Sequence, residues 1–305
     1  MIRKVAILGF GSIGQKHSNI LARLLGKNNV YVFSSQKDIP FNRLKSFNEI
    51  YKLDPDYIVV ASDTSHHFNQ LKKIDSNLSN KIILVEKPIF DGEKDIKLKN
   101  NTYLIGYNLR QHPYIDLLKH ELKNEKIYTV NINCFTYLPK WRKNIFYEKS
   151  SSASKKRGGG VLLDLSHEID YLIYLFGDVY HCYSQNLKLS NLKINTDDYL
   201  FLYGKIKKGG FFSINLNYFG KIPLRQLFIE TKNRTIFLDL INSKMVFNYI
   251  NKKPKIFKKK FIIDNTYVYQ HKAIIAQDYK KICTLKEGLK TMDLIQQIKN
   301  FSTNE

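Results

Sequence analysis

A glycine-rich turn near the N-terminus constrains the fold more than any other feature of this sequence. An apolar run, Val5–Leu8, leads directly into Gly9, Gly11 and Gly14, and sequence typical of a helix follows. Glycines at these positions allow a tight exit from a strand, close approach of the backbone to a pyrophosphate, and close packing of helix on strand. The unpaired N–H groups that open the helix would favour an anion. The pattern therefore predicts a dinucleotide-binding turn, with a merely structural turn as the alternative.

The end of the second predicted strand bears on cofactor preference. After the apolar run Val30–Phe33 come Ser34, Ser35 and, two positions later, Lys37. A site that prefers NAD usually has Asp or Glu here, about 20 residues after the glycines, to bind the ribose 2′-hydroxyl. Two hydroxyls and a lysine could instead hold a 2′-phosphate. The pattern slightly favours NADP over NAD, although a polar strand end in a lysine-rich chain would look similar.

Strands alternate with helices over the first 122 residues. Further apolar strands are predicted at 57–61, 81–85 and 103–106. This alternation predicts a doubly wound parallel sheet, a Rossmann domain, over residues 1–122. Ligands of such sheets bind at the carboxyl ends of the strands. Four polar side chains besides those of the glycine turn fall at these ends: Thr64, His67, Lys87 and Arg110.

The pattern changes near residue 125. A strand at 127–135 and a helix at 161–176 precede a series of short strands, and helices are predicted at 270–283 and 287–298. Within one of the strands, alternate residues are apolar and so would share a face; they are Phe212, Ile214, Leu216 and Tyr218. We predict that residues 123–305 form an α+β domain with a mainly antiparallel open sheet. An open sheet with one uncovered face favours a homo-oligomer, a dimer or tetramer.

Composition narrows the class of protein. The chain has 305 residues, of which 43% are hydrophobic and 25% charged, as expected of a folded protein with two domains. The formal net charge of +22 suggests nucleic-acid binding. However, the lysines are scattered over the whole chain and lie in no nucleic-acid motif, so we predict no nucleic-acid partner. The charge can still attract anionic small molecules.

Cysteine use and apolar runs bear on localisation. The three cysteines are widely spaced and form no C-x-x-C motif, which favours a reducing compartment over a disulfide framework or a structural zinc site. His66 and His67 have no third ligand at a suitable spacing, so no metal is predicted. The first strand begins at the initiator methionine, and no apolar run reaches the ~18 residues needed to span a bilayer. The prediction is a cytoplasmic protein without a membrane partner.

Several motifs together resemble the Gfo/Idh/MocA family of oxidoreductases, which is named after glucose–fructose oxidoreductase and inositol dehydrogenase. They occur in the family's order over nearly the whole chain: the GFGSIG turn, Ala61–His67 with Asp63 where proline is usual, Glu86-Lys87-Pro88, Gly106 with Arg110 and Pro113, Gly158–Asp164 with His167 and Asp170, and Glu287–Lys290. Many members space the aspartate and histidine as D-x-x-x-H, whereas Asp164 and His167 are one residue closer. Positions three apart still share a helix face, so both side chains can point into one cleft.

The resemblance implies a function. It implies an NAD(P)-dependent oxidoreductase that transfers a hydride to or from a secondary alcohol or ketone of a sugar, sugar phosphate or nucleotide sugar. Lys87 and His167 would move the proton and Asp164 would orient the reacting groups. The segment 137–142, the tyrosine and serines after it, and the string Ser166–Asp170 resemble a subgroup associated with bacterial surface-sugar synthesis, which by itself fixes no substrate.

The predicted site residues form two groups. Those expected to bind the cofactor are Gly9, Gly11, Ser12, Ile13, Gly14, Ser34, Ser35, Lys37, Ser62, Thr64, His67, Glu86 and Lys87. Those expected to bind the carbohydrate substrate are Arg110, Trp141, Arg142, Asp164 and His167. Two rival interpretations are a non-catalytic nucleotide-binding sensor or partner protein on the same fold and, on charge alone, a nucleic-acid binder.

Overall fold

The computed structural model describes residues 2–141 and 146–302, and the chain divides into two compact units. Unit 1 consists of Met1–Gln111 and Asp264–Met292, and unit 2 consists of His112–Ile263 and Asp293–Glu305. The chain therefore leaves unit 1 after residue 111 and returns to it about 150 residues later. The sequence places its boundary at residues 122 and 123 and gives no sign of this return.

The described residues form the following regular elements. The strands are β1 Val5–Leu8, β2 Val30–Phe33, β3 Asn42–Leu44, β4 Tyr57–Val60, β5 Ile82–Val85, β6 Thr102–Ile105, β7 Ile127–Tyr137, β8 Val179–Leu187, β9 Tyr199–Ile206, β10 Phe211–Asn217, β11 Phe219–Thr231, β12 Thr235–Asp239, β13 Lys244–Tyr249, β14 Lys252–Lys258 and β15 Cys283–Thr284. The helices are α1 Ser12–Leu25, α2 Phe47–Leu53, α3 Thr64–Asn77, α4 Pro113–Glu121, α5 Val161–Asp164, α6 His167–Phe176, α7 Asn265–Ile275 and α8 Leu285–Ser302.

Unit 1 contains a seven-stranded sheet in the order β15-β6-β5-β4-β1-β2-β3. All pairs are parallel except that of β15 with β6. Every residue of β1 and β4 is buried, because a parallel sheet of this kind is covered by helices on both faces. The carboxyl ends of β1, β2, β4, β5 and β6 consequently meet along one edge. The predicted doubly wound parallel sheet is confirmed.

Unit 2 contains an eight-stranded sheet in the order β14-β13-β12-β11-β7-β10-β9-β8. Only the pair β10 and β7 is parallel, and the others are antiparallel. In β10 the side chains of Phe212, Ile214 and Leu216 are buried, while the residues between them are partly exposed. The predicted mainly antiparallel sheet and the alternation along this strand are therefore confirmed.

The single helix predicted over residues 161–176 is wrong. Helix α5 ends at Asp164 and α6 begins at His167, because Leu165 has ψ near 27° and so leaves helical geometry. Asp164 and His167 thus stand on either side of a break instead of on one continuous helix face. The return helix is also displaced, since α7 covers Asn265–Ile275 instead of 270–283.

No helix within the described part of the chain is both long and apolar enough to cross a membrane.

Candidate functional site

The glycine turn of unit 1 packs as a nucleotide-binding turn requires. A Cβ on Gly9, whose φ is +97°, would lie 2.6 Å from the Ala61 carbonyl oxygen. A Cβ on Gly14 would lie 2.2 Å from the Gly9 carbonyl oxygen. By contrast, a Cβ on Gly11 would meet no atom within 4 Å. Two glycines therefore allow the backbone to close on itself, and the third leaves open space above the turn.

The start of α1 suits an anion. Gly11 is the N-cap, and no side chain caps the helix there. The first helical hydrogen bond runs from Gln15 N–H to Gly11 O at 2.9 Å, so the N–H groups of Ser12, Ile13 and Gly14 have no acceptor within the helix. These N–H groups and the open face of Gly11 fit the pyrophosphate of a dinucleotide.

The end of β2 lies beside this turn. Ser34 is partly exposed, whereas Ser35 and Lys37 are exposed. Gln36, which the sequence did not single out, donates from Nε2 to the Phe10 carbonyl oxygen at 3.0 Å and so joins the end of β2 to the glycine turn. The side chains that are predicted to contact a 2′-phosphate are therefore accessible to solvent.

The segment after β4 is held by His67. Its ring nitrogens lie 3.1 Å from the backbone oxygens of Ser62 and Ile89, and the side chain is buried. Burial lowers the pKa of His67 below its ordinary value. This geometry gives His67 a structural task in joining two loops at the carboxyl edge. Thr64 is the first residue of α3, and Ser62 donates from Oγ to Gln70 Oε1 at 2.8 Å.

Glu86 and Lys87 follow the end of β5. The carboxylate of Glu86 is buried, lies 2.9 Å from His17 Nε2 and accepts from the Lys87 amide at 3.3 Å. A Cβ on Gly106 would lie 2.7 Å from Glu86 Oε1, so glycine leaves room for the carboxylate. The side chain of Lys87 is partly exposed at the carboxyl edge of the sheet.

Arg110 is turned inward. Its side chain is buried, and Nη1 lies 3.1 Å from Glu287 Oε1. Glu287 in turn accepts from the amide and hydroxyl of Thr284, both at 2.9 Å, at the start of α8. Burial and this ion pair favour a structural role for Arg110, which closes the returning segment onto the 3₁₀ turn Asn108–Gln111.

In unit 2, Tyr218 links two of the predicted substrate residues. Its hydroxyl lies 2.5 Å from Asp164 Oδ2, and its ring stands edge-on to that of Trp141, with the centroids 5.2 Å apart. Trp141 also hydrogen-bonds Thr136 through its indole nitrogen and remains more than one-third exposed. Burial, and then the Asp164 carboxylate, raise the pKa of Tyr218 well above its ordinary value. The sequence shows Tyr218 only as a core residue, because it continues the apolar alternation of Phe212, Ile214 and Leu216.

A second carboxylate, Asp197, lies near Asp164. Asp197 accepts through Oδ2 from the Leu162 amide at 2.8 Å, and its Oδ1 would be only 2.2 Å from a Cβ on Gly160. Gly160 has φ of +119°, so this position needs glycine for both conformation and space. Burial raises the pKa of Asp197 to about 6, and Asp164 contributes to the rise.

His167 is the first residue of α6 and is buried. The next residue, Glu168, is fully buried and lies 2.8 Å from Arg225 Nε, which fixes the start of the helix to β11. Cys134 lies beside this pair, and burial raises the pKa of its thiol to about 12.

The structure thus gathers the predicted cofactor residues at the carboxyl edge of the unit 1 sheet, and it groups Asp164 with Trp141 through Tyr218 in unit 2. Arg142 lies outside the described residues. Among the residues that the structure describes, no group of three or more His, Cys, Asp or Glu side chains could hold a metal ion.

A family model confirms the resemblance seen in the sequence. Residues 117–223 match GFO_IDH_MocA_C, described as the C-terminal alpha/beta domain of an oxidoreductase family. This segment includes Trp141, Asp164 and His167. No sequence match was found among the curated proteins. The match to an oxidoreductase family favours an enzyme over a non-catalytic nucleotide-binding protein.

Solved structures with the same fold include sugar dehydrogenases. The WlbA dehydrogenase from Bordetella pertussis, in complex with NADH and UDP-GlcNAcA, is 16% identical over 100% of this chain and 97% of its own, with a TM-score of 0.78. A levoglucosan dehydrogenase in complex with NADH and levoglucosan is 13% identical over 99% of this chain and 97% of its own, with a TM-score of 0.84. The UDP-N-acetylglucosamine 3-dehydrogenase GnnA from Acidithiobacillus ferrooxidans is 14% identical over 98% of both chains, with a TM-score of 0.75. The predicted fold class is therefore confirmed.

Proposed function

We propose that this chain, which carries the C-terminal domain of an oxidoreductase family and the fold of its sugar dehydrogenases, is a nicotinamide-dependent dehydrogenase or reductase. Its reaction is hydride transfer to or from a secondary alcohol or ketone of a sugar. The observation that carries the proposal is the family match over Asp164 and His167 in a chain whose first unit has the open face at Gly11. None of the three cysteines, all of which lie in the described part of the chain, forms a disulfide, in keeping with the cytoplasmic location that we propose.

The residues of unit 1 would bind the cofactor. The N–H groups that open α1 would hold the pyrophosphate. The adenosine ribose would be bound by Ser34, Ser35 and Lys37. The rest of the cofactor would be bound at the carboxyl edge of the sheet, by Ser62, Thr64, Glu86 and Lys87. When bound, the nicotinamide ring accepts or donates the hydride. Lys87 and His167 hold or move the proton of the reacting oxygen, and Asp164, fixed by Tyr218, orients the carbohydrate.

The substrate we propose is a nucleotide sugar used in surface-glycan synthesis. The protein WlbA is described with a UDP-sugar bound, and GnnA is named as a UDP-N-acetylglucosamine dehydrogenase. A net charge of +22 would attract an anionic diphosphate. The exposed ring of Trp141 offers an apolar surface to a sugar face.

Turnover with purified protein tests this function. A panel of UDP-sugars, sugar phosphates and free sugars is incubated with NAD or NADP, and nicotinamide absorbance is followed. We expect turnover with at least one UDP-sugar and weaker turnover with the free sugar. Tight cofactor binding without turnover on any member of the panel would instead favour the non-catalytic sensor.

We expect NADP to bind more tightly than NAD. The side chains of Ser34, Ser35 and Lys37 are accessible. They occupy the positions at which an NAD-preferring site usually has Asp or Glu, whose negative charge would repel a 2′-phosphate. Dissociation constants for both cofactors, measured by titration, check this preference. Ser35→Asp should shift the preference toward NAD, whereas equal native affinities would show that Lys37 is only surface charge.

We also expect a homo-oligomer formed through the sheet of unit 2. Aromatic side chains stand exposed on its strands, among them Tyr203 and Phe211, whose rings stack with centroids 5.8 Å apart. Phe228 on β11 is also exposed, and an apolar area of this kind favours association. Light scattering at micromolar concentration should give a dimer or tetramer, and Phe211→Lys should lower the mass. A monomeric native protein would contradict the expectation.

A further inference from the structure

A continuous chain of polar side chains crosses the interior of unit 1. Tyr57 Oη lies 3.0 Å from His271 Nδ1, and His271 Nε2 lies 2.7 Å from His17 Nδ1. The other nitrogen of His17, Nε2, lies 2.9 Å from Glu86 Oε1. Glu86 Oε2 accepts from the amide of Lys87. We call the four side chains Tyr57, His271, His17 and Glu86 the buried chain.

The buried chain joins four elements at one point. Tyr57 begins β4, His271 lies on α7, His17 lies on α1 three residues after the glycine turn, and Glu86 follows β5. The two histidines and the tyrosine are completely buried, and Glu86 is nearly so. An unsatisfied buried polar group costs about 1–3 kcal/mol. These four polar side chains can therefore be buried in the core only because each forms a hydrogen bond with the next.

The hydrogen count allows one complete arrangement with both histidines neutral. A carboxylate can only accept, so His17 donates to Glu86 from Nε2. His17 Nδ1 then has no hydrogen and accepts from His271 Nε2–H. His271 Nδ1 in turn accepts from the Tyr57 hydroxyl. Both histidines are thus Nε2–H tautomers, and an extra proton on His17 would reverse every bond as far as Tyr57.

The surroundings favour this neutral arrangement. Burial, and then His17, hold the pKa of His271 well below its ordinary value. Burial, and then Glu86 and Tyr279, raise the pKa of Tyr57 well above its ordinary value. The other titratable groups nearby are Tyr267, whose ring centroid is 5.5 Å from that of His17, Lys16, which lies 4.8 Å from the Tyr267 centroid, and His67, which interacts electrostatically with Glu86.

We infer that Tyr57, His271 and His17 are positioning residues that hold the Glu86 carboxylate, and with it the backbone that presents Lys87, in a single orientation. The Glu86 carboxylate also cannot move toward Gly106, because the two already pack closely. A Cβ added at Gly106 would lie only 2.7 Å from Glu86 Oε1. An effect of these residues on turnover rests on the function proposed for Lys87. The order of the hydrogen bonds in the buried chain does not depend on that function.

The first test needs no activity. In ¹⁵N spectra of the histidine side chains, His17 and His271 should both be Nε2–H tautomers, and His271 should not titrate between about pH 6 and 8. Tyr57→Phe should shift the His271 signals and, less strongly, those of His17. The matched control is Tyr103→Phe, because Tyr103 is also buried and loses a hydroxyl bond to Asp75 of 2.8 Å but lies outside the buried chain. An Nδ1–H tautomer of either histidine, a titration of His271 in this range, or equal shifts in both variants would overturn the inference.

The second test compares two substitutions of one residue. His17→Gln keeps an N–H donor for Glu86, whereas His17→Leu removes it. His17→Leu should lower kcat about 10- to 100-fold with KM little changed, and His17→Gln should recover most of the loss. Equal kcat in the native and Leu proteins, or equal losses in both variants, would contradict the positioning role. If His17→Leu does not fold, Tyr57→Phe takes its place; if the native protein lacks turnover, the proposed function fails while the tautomers still decide the inference.

Discussion

Lys87→Met is expected to lower turnover about 10²–10⁴-fold while leaving the fold and the cofactor affinity largely intact. Positioned proton transfer contributes a factor of this size, and methionine keeps much of the length of lysine while removing the donor. Lys87 is partly exposed at the carboxyl edge of the sheet, so the substitution does not open a cavity in the closed core. Steady-state kinetics on the identified substrate, with cofactor titration and thermal unfolding, measure the result.

The control is the same substitution at the other end of the same strand. Lys81 immediately precedes β5 and lies 2.8 Å from Asp54, which is largely exposed. Lys81→Met should leave turnover unchanged, because Lys81 lies at the opposite end of the strand from the proposed site, and thermal unfolding of the variant measures the stability lost with its ion pair to Asp54. Near-native turnover in Lys87→Met would show that the proton is handled by another residue.

His167→Ala is expected to reduce turnover by a similar factor, about 10²–10⁴-fold. His167 begins α6, and the adjacent Glu168–Arg225 ion pair keeps the helix start in place when the imidazole is removed. The loss should therefore appear in kcat without a comparable loss of cofactor binding, which is assigned to unit 1. Steady-state kinetics and a cofactor titration of the variant measure the two effects separately.

His181→Ala provides the matched control in unit 2. His181 is partly buried on β8, where its Nε2 lies 2.9 Å from Ser184 Oγ. Its loss should leave turnover unchanged. If Lys87 and His167 serve one proton transfer, the double variant should lose less than the product of the two single losses. Fully multiplicative losses would show that the two residues act in separate steps.

The sequence predicts those parts of the molecule that depend on local pattern. The apolar runs of β1, β4 and β5 are continuous because both faces of the parallel sheet are covered, and continuous runs are easily seen. The three glycines mark the turn because conformation and close packing exclude other residues there. The motif residues Glu86, Lys87 and Asp164 are identified in another way, through the resemblance to a known family of oxidoreductases.

The remaining features depend on contacts between distant segments. Strands β3 and β15 have three and two residues, too few for any periodicity. The pattern of apolar residues continues through 161–176, so it could not reveal that Leu165 leaves helical geometry. His17, His271 and Tyr218 act through partners far away in sequence, and neighbouring residues give no sign of this.

The discontinuity of unit 1 has a consequence for the order of events during synthesis. Strands β1–β6 leave the ribosome before α7, which carries His271. At about 5–20 residues per second, the intervening segment takes roughly 10 to 30 s to emerge. During this interval the nascent sheet lacks the imidazole that accepts from Tyr57 and faces His17. The interior of unit 1 can therefore close only after α7 has emerged, so that a polypeptide terminated before residue 265 retains an open core.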